Sequence, residues 1–191
     1  MELDEKASWN KKYSEGSHSS LEPDPFLVSA YEEFLSGISP GLALDVAGGV
    51  GRHSIWLAQR GWRVKLVDIS EVGVKQAEEN ATKMGTPSSI ITEVRDLNSA
   101  KDLGREQYDL VVVFFFLQRE LFPALADAIK PGGFLIYKTY TNEQKRFAGG
   151  PSHPTFLLQP NELLRTFSSM RVLHYHETIS QKGVAELVAR K

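Results

Sequence analysis

Three aspartates and a run of glycines are spaced as a small-molecule site would need them. The segment Asp45-Val46-Ala47-Gly48-Gly49-Val50-Gly51-Arg52-His53-Ser54 follows an apolar run, Leu42 to Val46, and opens what reads as a helix. Glycines at such a place let the backbone approach a ligand closely, and the helix start offers unpaired N–H groups. Asp68 closes the next apolar run. An acid about 20 residues beyond a glycine loop can accept hydrogen bonds from both hydroxyls of a ribose. Asp96, in Arg95-Asp96-Leu97, closes a third run, where a carboxylate could meet an adenine amino group. A dinucleotide loop reads G-x-G-x-x-G/A, and here Ser54 takes the third small position while Asp45 would crowd an anionic pyrophosphate. An acid at position 45 instead suits a ligand that presents a cationic amino group.

These residues need elements to hold them. Residues 1–40 are polar at first and become helix-like from Pro25, with Phe26, Leu27, Ala30, Tyr31, Phe34 and Leu35 spaced for one apolar face. Alternation follows: strands at Leu42 to Val46, Arg63 to Ile69, Ile90 to Arg95, Asp109 to Phe115 and Phe134 to Thr139, with helices at Ser54 to Gln59, from Ser70 as N-cap to Met84, and at Leu117 to Ile129. Lys130-Pro131-Gly132-Gly133 reads as a turn before the fifth strand. Strands alternating with helices imply right-handed crossovers and a mostly parallel sheet covered on both faces. A short helix near Asn161 to Phe167 and two strand-like runs, Arg171 to Thr178 and Val184 to Arg190, suggest a closing antiparallel hairpin. The polar stretch Thr141 to Pro154 reads as a loop with no packed element, long enough to serve as a lid or binding loop. The expected organisation is a helical cap segment over residues 1–40 and a ligand-binding domain over 41–191.

Taken together, Leu44-Asp45-Val46-Ala47-Gly48-Gly49-Val50-Gly51-Arg52-His53, Val67-Asp68-Ile69-Ser70 and Asp96-Leu97 resemble the successive cofactor motifs of class I S-adenosylmethionine (SAM)-dependent methyltransferases. The turn Lys130-Pro131-Gly132-Gly133 is also common there, and Trp9-Asn10-x-x-Tyr13 resembles the N-terminal W-x-x-x-Y of the tellurite-resistance-like, small-molecule branch, where it packs near the cofactor. The resemblance covers about residues 40–140. Ala47 departs from the pattern, standing where the family usually has its first glycine. The resemblance implies an α/β, Rossmann-like, seven-stranded sheet with helices on both faces. It also implies SAM as cofactor and S-adenosylhomocysteine as product. Asp45, Ala47, Gly49 and Gly51 would hold the methionine half, Asp68 and Ile69 the ribose, Asp96 and Leu97 the adenine. Phe114, Phe115 and Phe116 follow strand four, where methyl donor meets acceptor; Phe114 is counted with Trp9 and Tyr13 among the cofactor neighbours.

Each assignment has a plainer alternative. Asp96 is an ordinary turn residue, alternate residues of the Phe triplet belong in a core, and Trp9 and Tyr13 at i,i+4 spacing could simply pack. His18, His53 and His153 are candidate bases, although surface or structural roles are commoner. In the long loop Tyr140, Arg146 and His153 are the candidates for acceptor binding or catalysis. No base stands beside the glycine loop, which points to an acceptor already nucleophilic. A non-catalytic SAM- or nucleotide-binding module and an NAD-dependent oxidoreductase remain the alternatives.

Composition narrows the field. The 191 residues contain no cysteine, which excludes disulfides, thiolate metal sites and a cysteine nucleophile. His174-x-His176 alternates on a strand and puts both rings on one face, and no metal site is expected there. A net charge of -2 without a basic stripe argues against nucleic acid as partner. The longest apolar run, Leu110 to Leu117, is far below the roughly 20 residues of a membrane helix. The start is too charged for a signal peptide, and a cytoplasmic protein acting on a small-molecule acceptor is expected.

Overall fold

The structure is a computed structural model that describes residues 5–99 and 101–191. Seven strands form one sheet in the order β3-β2-β1-β4-β5-β7-β6, and the chain folds as two compact units, Met1–Ala100 and Lys101–Lys191.

The first unit holds α1 (Glu5–Ser14), α2 (Pro25–Phe34), β1 (Leu42–Val46), α3 (Arg52–Ala58), β2 (Arg63–Asp68), α4 (Glu71–Lys83) and β3 (Ile90–Val94). Its strands are parallel, with Val46 opposite Val67 and Asp68 opposite Val94. Ala43, Leu44, Val46, Val64, Leu66 and Val67 are buried, as continuous apolar strands covered on both faces should be. α2 starts where Asp24 accepts the Phe26 N–H at 2.9 Å and Pro25 opens the first turn. Its buried face is Phe26, Leu27, Ala30 and Tyr31. The Tyr31 ring meets Trp56 of α3 edge-on at 5.2 Å, and the Arg60 guanidinium lies 3.5 Å over that indole. α4 begins at Ser70, whose Oγ accepts the Gly73 N–H at 3.0 Å. Its buried face includes Val74 and Ala77, packed with Leu66 of β2 and Ile90 of β3.

The second unit holds β4 (Tyr108–Phe114), a 3₁₀ turn (Arg119–Leu121), α5 (Phe122–Ala128), β5 (Ile129–Tyr140), 3₁₀ turns at Asn142–Arg146 and Pro154–Phe156, α6 (Glu162–Thr166), β6 (Arg171–Thr178) and β7 (Val184–Arg190). β4 and β5 are parallel, and β7 runs antiparallel to both β5 and β6. Leu110 to Val113 are fully buried, and Phe122, Tyr137 and Phe167 form an aromatic cluster with centroids 5.6 to 6.3 Å apart.

Several expectations are corrected by the fold. The helix read over Leu117 to Ile129 is α-helical only over Phe122–Ala128, because Pro123 sits in its first turn and the turn before it, Arg119–Leu121, is 3₁₀ rather than α. Lys130-Pro131-Gly132-Gly133 is not a free-standing turn: it lies within β5, where Gly132 N–H donates to Lys191 O at 2.8 Å and Lys191 N–H to Gly133 O at 3.0 Å. The stretch 141–154 is anchored at its start, where Thr141 and Gln144 are buried, while Lys145, Arg146 and most of 148–154 are exposed. Gln144 is buried, its Nε2 donates to Gly149 O at 2.8 Å, and its Oε1 accepts the Gly183 N–H at 3.0 Å. A Cβ on Gly183 would stand 2.1 Å from the Gln144 backbone nitrogen, so only glycine admits this contact. Finally, Glu5–Ser14, the polar start of the expected helical cap, forms the helix α1. Among the described residues no helix is long and apolar enough to cross a membrane.

Candidate functional site

The site in the first unit is built where β1 and β2 end. Asp45 occupies the last but one position of β1 and is 1% exposed. Its Oδ2 accepts the Ser54 hydroxyl at 2.7 Å, tying strand to helix α3. Burial pushes its carboxyl up to about 6; the Ser54 hydrogen bond and the nearby Arg52 act in the opposite direction. Asp68, the last residue of β2, is also buried, and its carboxyl is raised by the same desolvation.

Asp68 organises the turn around it. Its Oδ1 accepts the Ser70 N–H at 2.8 Å, just before α4, and its Oδ2 accepts the Gly49 N–H at 2.8 Å. The glycine loop is therefore tied to the tip of the neighbouring strand by a charge-assisted bond. Ala47, the departure from the expected glycine, has φ 55. An alanine held there is strained by about 1–2 kcal/mol.

Helix α1 lies over this loop. Tyr13 is buried, and a Cβ built on Gly49 would stand 2.4 Å from its hydroxyl oxygen. A Cβ on Gly73, in the first turn of α4, would stand 2.9 Å from a Tyr13 ring carbon. Two glycines thus make a slot for one tyrosine ring. Burial, and then the negative charge of Asp68, raise the Tyr13 hydroxyl well above its usual range, so it stays protonated. The helix is anchored by Asn10, whose Oδ1 accepts from Ser70 Oγ at 2.7 Å, by Gln76 Nε2 donating to Tyr13 O at 3.3 Å, and by an ion pair between Lys6 and Glu71. Trp9 stacks on Tyr13 with centroids 5.7 Å apart and carries Lys12 over its ring at 4.0 Å.

The other positions singled out in the sequence are placed as follows. Gly51 is the left-handed residue that starts α3, and Ile69 follows Asp68, half-buried. Leu97 is buried, whereas Asp96 is exposed and caps its own turn, accepting from Asn98 N–H at 2.9 Å and Ser99 Oγ at 3.2 Å. His53 is buried, its Nε2 accepting the Asp24 N–H at 3.3 Å, a structural role. In the second unit, Phe114 is buried and Phe115 half-buried, its ring 5.0 Å from that of Tyr140. Arg146 pairs with Glu143 at 2.9 Å, and His153 Nδ1 accepts the Thr155 N–H at 3.4 Å. Spacing and composition do not single out Gly73, Asn10 or Gln144. A glycine inside an otherwise regular helical pattern is the available signal for the first.

A family model described as tellurite resistance protein TehB matches residues 25–186. The chain belongs to the TehB family. Among curated TehB proteins, the probable S-adenosyl-L-methionine-dependent methyltransferase TehB of Haemophilus influenzae is 31% identical over 152 residues, covering 75% of this chain and 51% of that protein. The chain therefore spans about half the length of this TehB relative. A ubiquinone biosynthesis O-methyltransferase of Leptothrix cholodnii is 26% identical over 187 residues, covering 81% of this chain and 77% of that protein. The TehB crystal structure from Haemophilus influenzae superposes with a TM-score of 0.73 at 23% identity, over 95% of this chain and 67% of that one. A SAM-dependent methyltransferase from Aquifex aeolicus gives 0.70 at 19% identity, over 95% and 97%. These two likenesses extend over nearly the whole fold described above.

Proposed function

We propose that this chain is a SAM-dependent methyltransferase acting on a small-molecule acceptor, releasing S-adenosylhomocysteine. The observation that carries the reading is the pair of buried carboxylates, Asp45 and Asp68, on adjacent parallel strands, with the Gly49 amide bound to the second. Membership of the TehB family and the activity named for the Haemophilus and Leptothrix relatives support it.

The residues fit the cofactor chemically. Each Asp68 oxygen accepts one backbone N–H, and a carboxylate oxygen has a further lone pair. Two ribose hydroxyls can be bound without releasing the glycine loop. Asp45 offers a buried negative charge to an ammonium group, with Ala47, Gly49 and Gly51 supplying close backbone. Ile69 and Leu97 would flank the base and Asp96 would accept from its amino group. Trp9 and Tyr13 would cover the loop side of the ligand. When bound, the cofactor supplies an electrophilic methyl group on a sulfonium, so the protein's task is placement and exclusion of water.

No residue is assigned as general base. Arg146 is engaged by Glu143, and His153 by the Thr155 amide. Tyr140 lies against Phe115. This supports an acceptor that arrives nucleophilic, such as a thiolate or another soft anion.

Isothermal titration with SAM and S-adenosylhomocysteine tests the reading, with Asp68→Ala as comparison. Micromolar binding to the parent and at least tenfold weaker binding to the variant is the expected result. No binding to the parent, or equal affinity in both, would overturn it.

A further inference from the structure

Helix α1 reaches the Asp68 carboxylate by two routes. Asn10 and Tyr13 stand three positions apart and share one face of the helix. Tyr13 presses on Gly49, whose N–H donates to Asp68 Oδ2 at 2.8 Å; a Cβ on that glycine would stand 2.4 Å from the Tyr13 hydroxyl oxygen. Asn10 leads to the other oxygen. Its Oδ1 accepts the Ser70 hydroxyl at 2.7 Å, and the Ser70 N–H donates to Asp68 Oδ1 at 2.8 Å. One helix face thus touches, through one intermediary each, both oxygens of the carboxylate.

The direction of each bond follows from what each group can do. The Val72 N–H can only donate, and it meets the same Asn10 atom at 3.4 Å, so that atom is the carbonyl oxygen. An oxygen without a hydrogen obliges Ser70 Oγ to donate to it. Ser70 Oγ then offers a lone pair to the Gly73 N–H at 3.0 Å. Asn10 therefore decides where the one hydroxyl hydrogen of Ser70 goes, and the two side chains together cap two N–H groups that the first turn of α4 leaves unpaired. Ser70 is fully buried and Asp68 is 4% exposed. In such a place linked hydrogen bonds strengthen one another. The other ties of α1 differ in kind: Lys6 pairs with Glu71, and Gln76 Nε2 donates to Tyr13 O. Both end on α4 side chains rather than on a group bonded to Asp68.

We propose, on the methyltransferase reading above, that Asn10 is a positioning residue for the cofactor's ribose, acting through Ser70 on Asp68. Each Asp68 oxygen already accepts one N–H, so the direction of its remaining lone pair is set by where that first donor stands. Two hydroxyls on adjacent ribose carbons are met together only by a carboxylate held in one orientation. Asn10 holds Ser70, Ser70 holds Asp68 Oδ1, and the cap helix thereby takes part in choosing the sugar as well as covering it.

Calorimetric titration of S-adenosylhomocysteine and of its 2′-deoxyribose analogue tests this on the parent, Asn10→Ala, the nearly isosteric Asn10→Leu, Asn10→Asp and Lys6→Ala. The parent should prefer the ligand with both hydroxyls. Asn10→Ala and Asn10→Leu should narrow that preference roughly 2- to 12-fold, the range of one hydrogen bond, by losing affinity mainly for the full ribose. Asn10→Asp keeps an oxygen for Ser70 and should retain the parent's preference. Lys6→Ala loosens α1 without touching Ser70 and should leave the preference unchanged. A helix that only roofs the site would instead make Asn10→Ala and Asn10→Leu weaken both ligands alike. That result, an unchanged affinity in both variants, or a parent that binds the two ligands equally would overturn the positioning role while leaving the methyltransferase reading intact. A parent that binds neither ligand would remove that reading, and the positioning role with it.

Discussion

Replacing Asp45 by asparagine should stabilise the ligand-free fold while weakening its binding of cofactor. The side chain is 1% exposed, and burial lifts its carboxyl from 3.8 to about 6. A tenfold gain in proton affinity corresponds to about 1.4 kcal/mol, so ionised Asp45 opposes folding by about 3 kcal/mol at neutral pH. The folded chain holds this proton more tightly than the unfolded chain does. The favourable contribution is therefore complete below about pH 4 and is lost as the pH rises through about 6. Asparagine removes the charge and keeps an oxygen for the Ser54 hydroxyl, which now donates at 2.7 Å. Its new N–H groups need acceptors in a buried place, a cost of about 1 kcal/mol or more. The net expectation is a gain of about 2 kcal/mol at pH 8 that shrinks toward zero or reverses by pH 4. Urea unfolding of both proteins at several pH values measures it. SAM titration at pH 8 should show the variant binding at least tenfold more weakly, because the ammonium loses its counter-charge. If the variant is no more stable at pH 8, or if its advantage is the same at pH 4, then the desolvation argument for Asp45 is wrong.

Other substitutions probe the loop and the helix above it. Ala47→Gly should raise stability by about 1 kcal/mol in urea unfolding, because it releases a left-handed alanine at φ 55; a loss would show that the conformation is unstrained. Gly73→Ala should destabilise by about 1–2 kcal/mol, since overpacking against the Tyr13 ring at 2.9 Å outweighs the better helix propensity of alanine. In a Tyr13→Ala background the same change should become neutral or stabilising, and an unchanged sign there would refute the slot.

What could be read from the sequence was what depends on local pattern. The strands of the first unit announce themselves as apolar runs ended by acids, and Ser70 announces α4 because N-capping is decided within three residues. Pieces decided by distant partners were not readable. α1 has no apolar stripe to signal it; it is held by Asn10 against Ser70 and by Tyr13 between Gly49 and Gly73. Lys130-Pro131-Gly132-Gly133 has turn composition, yet Lys191 pairs with it and continues β5. The segment after Tyr140 looks loose because its fixing contact, Gln144 with Gly183, spans 39 positions. The same holds within the site. Asp45, Gly49 and Asp68 were visible from spacing, whereas Gly73 was not, because its reason is the ring of Tyr13, far away in the chain.

The two buried carboxylates also explain why ligand binding and folding should be coupled in this chain. For Asp45 and Asp68 alike, desolvation is the largest influence and raises the carboxyl, and the hydrogen bonds from Ser54, Gly49 and Ser70 only partly offset it. The protein's own groups therefore compensate these two charges only in part. A bound ammonium at Asp45 and ribose hydroxyls at Asp68 would supply further partners in the place where water was removed. Cofactor at 100 times its Kd should then add about 2.7 kcal/mol by mass action. The same carboxylates set the sign of its pH dependence: binding should weaken as the pH falls through about 6, where Asp45 takes up a proton and ceases to attract a cation. A SAM affinity that is flat between pH 5 and 8 would mean that Asp45 does not meet the ammonium, and that the carboxylate is buried for the sake of Ser54 and helix α3 alone.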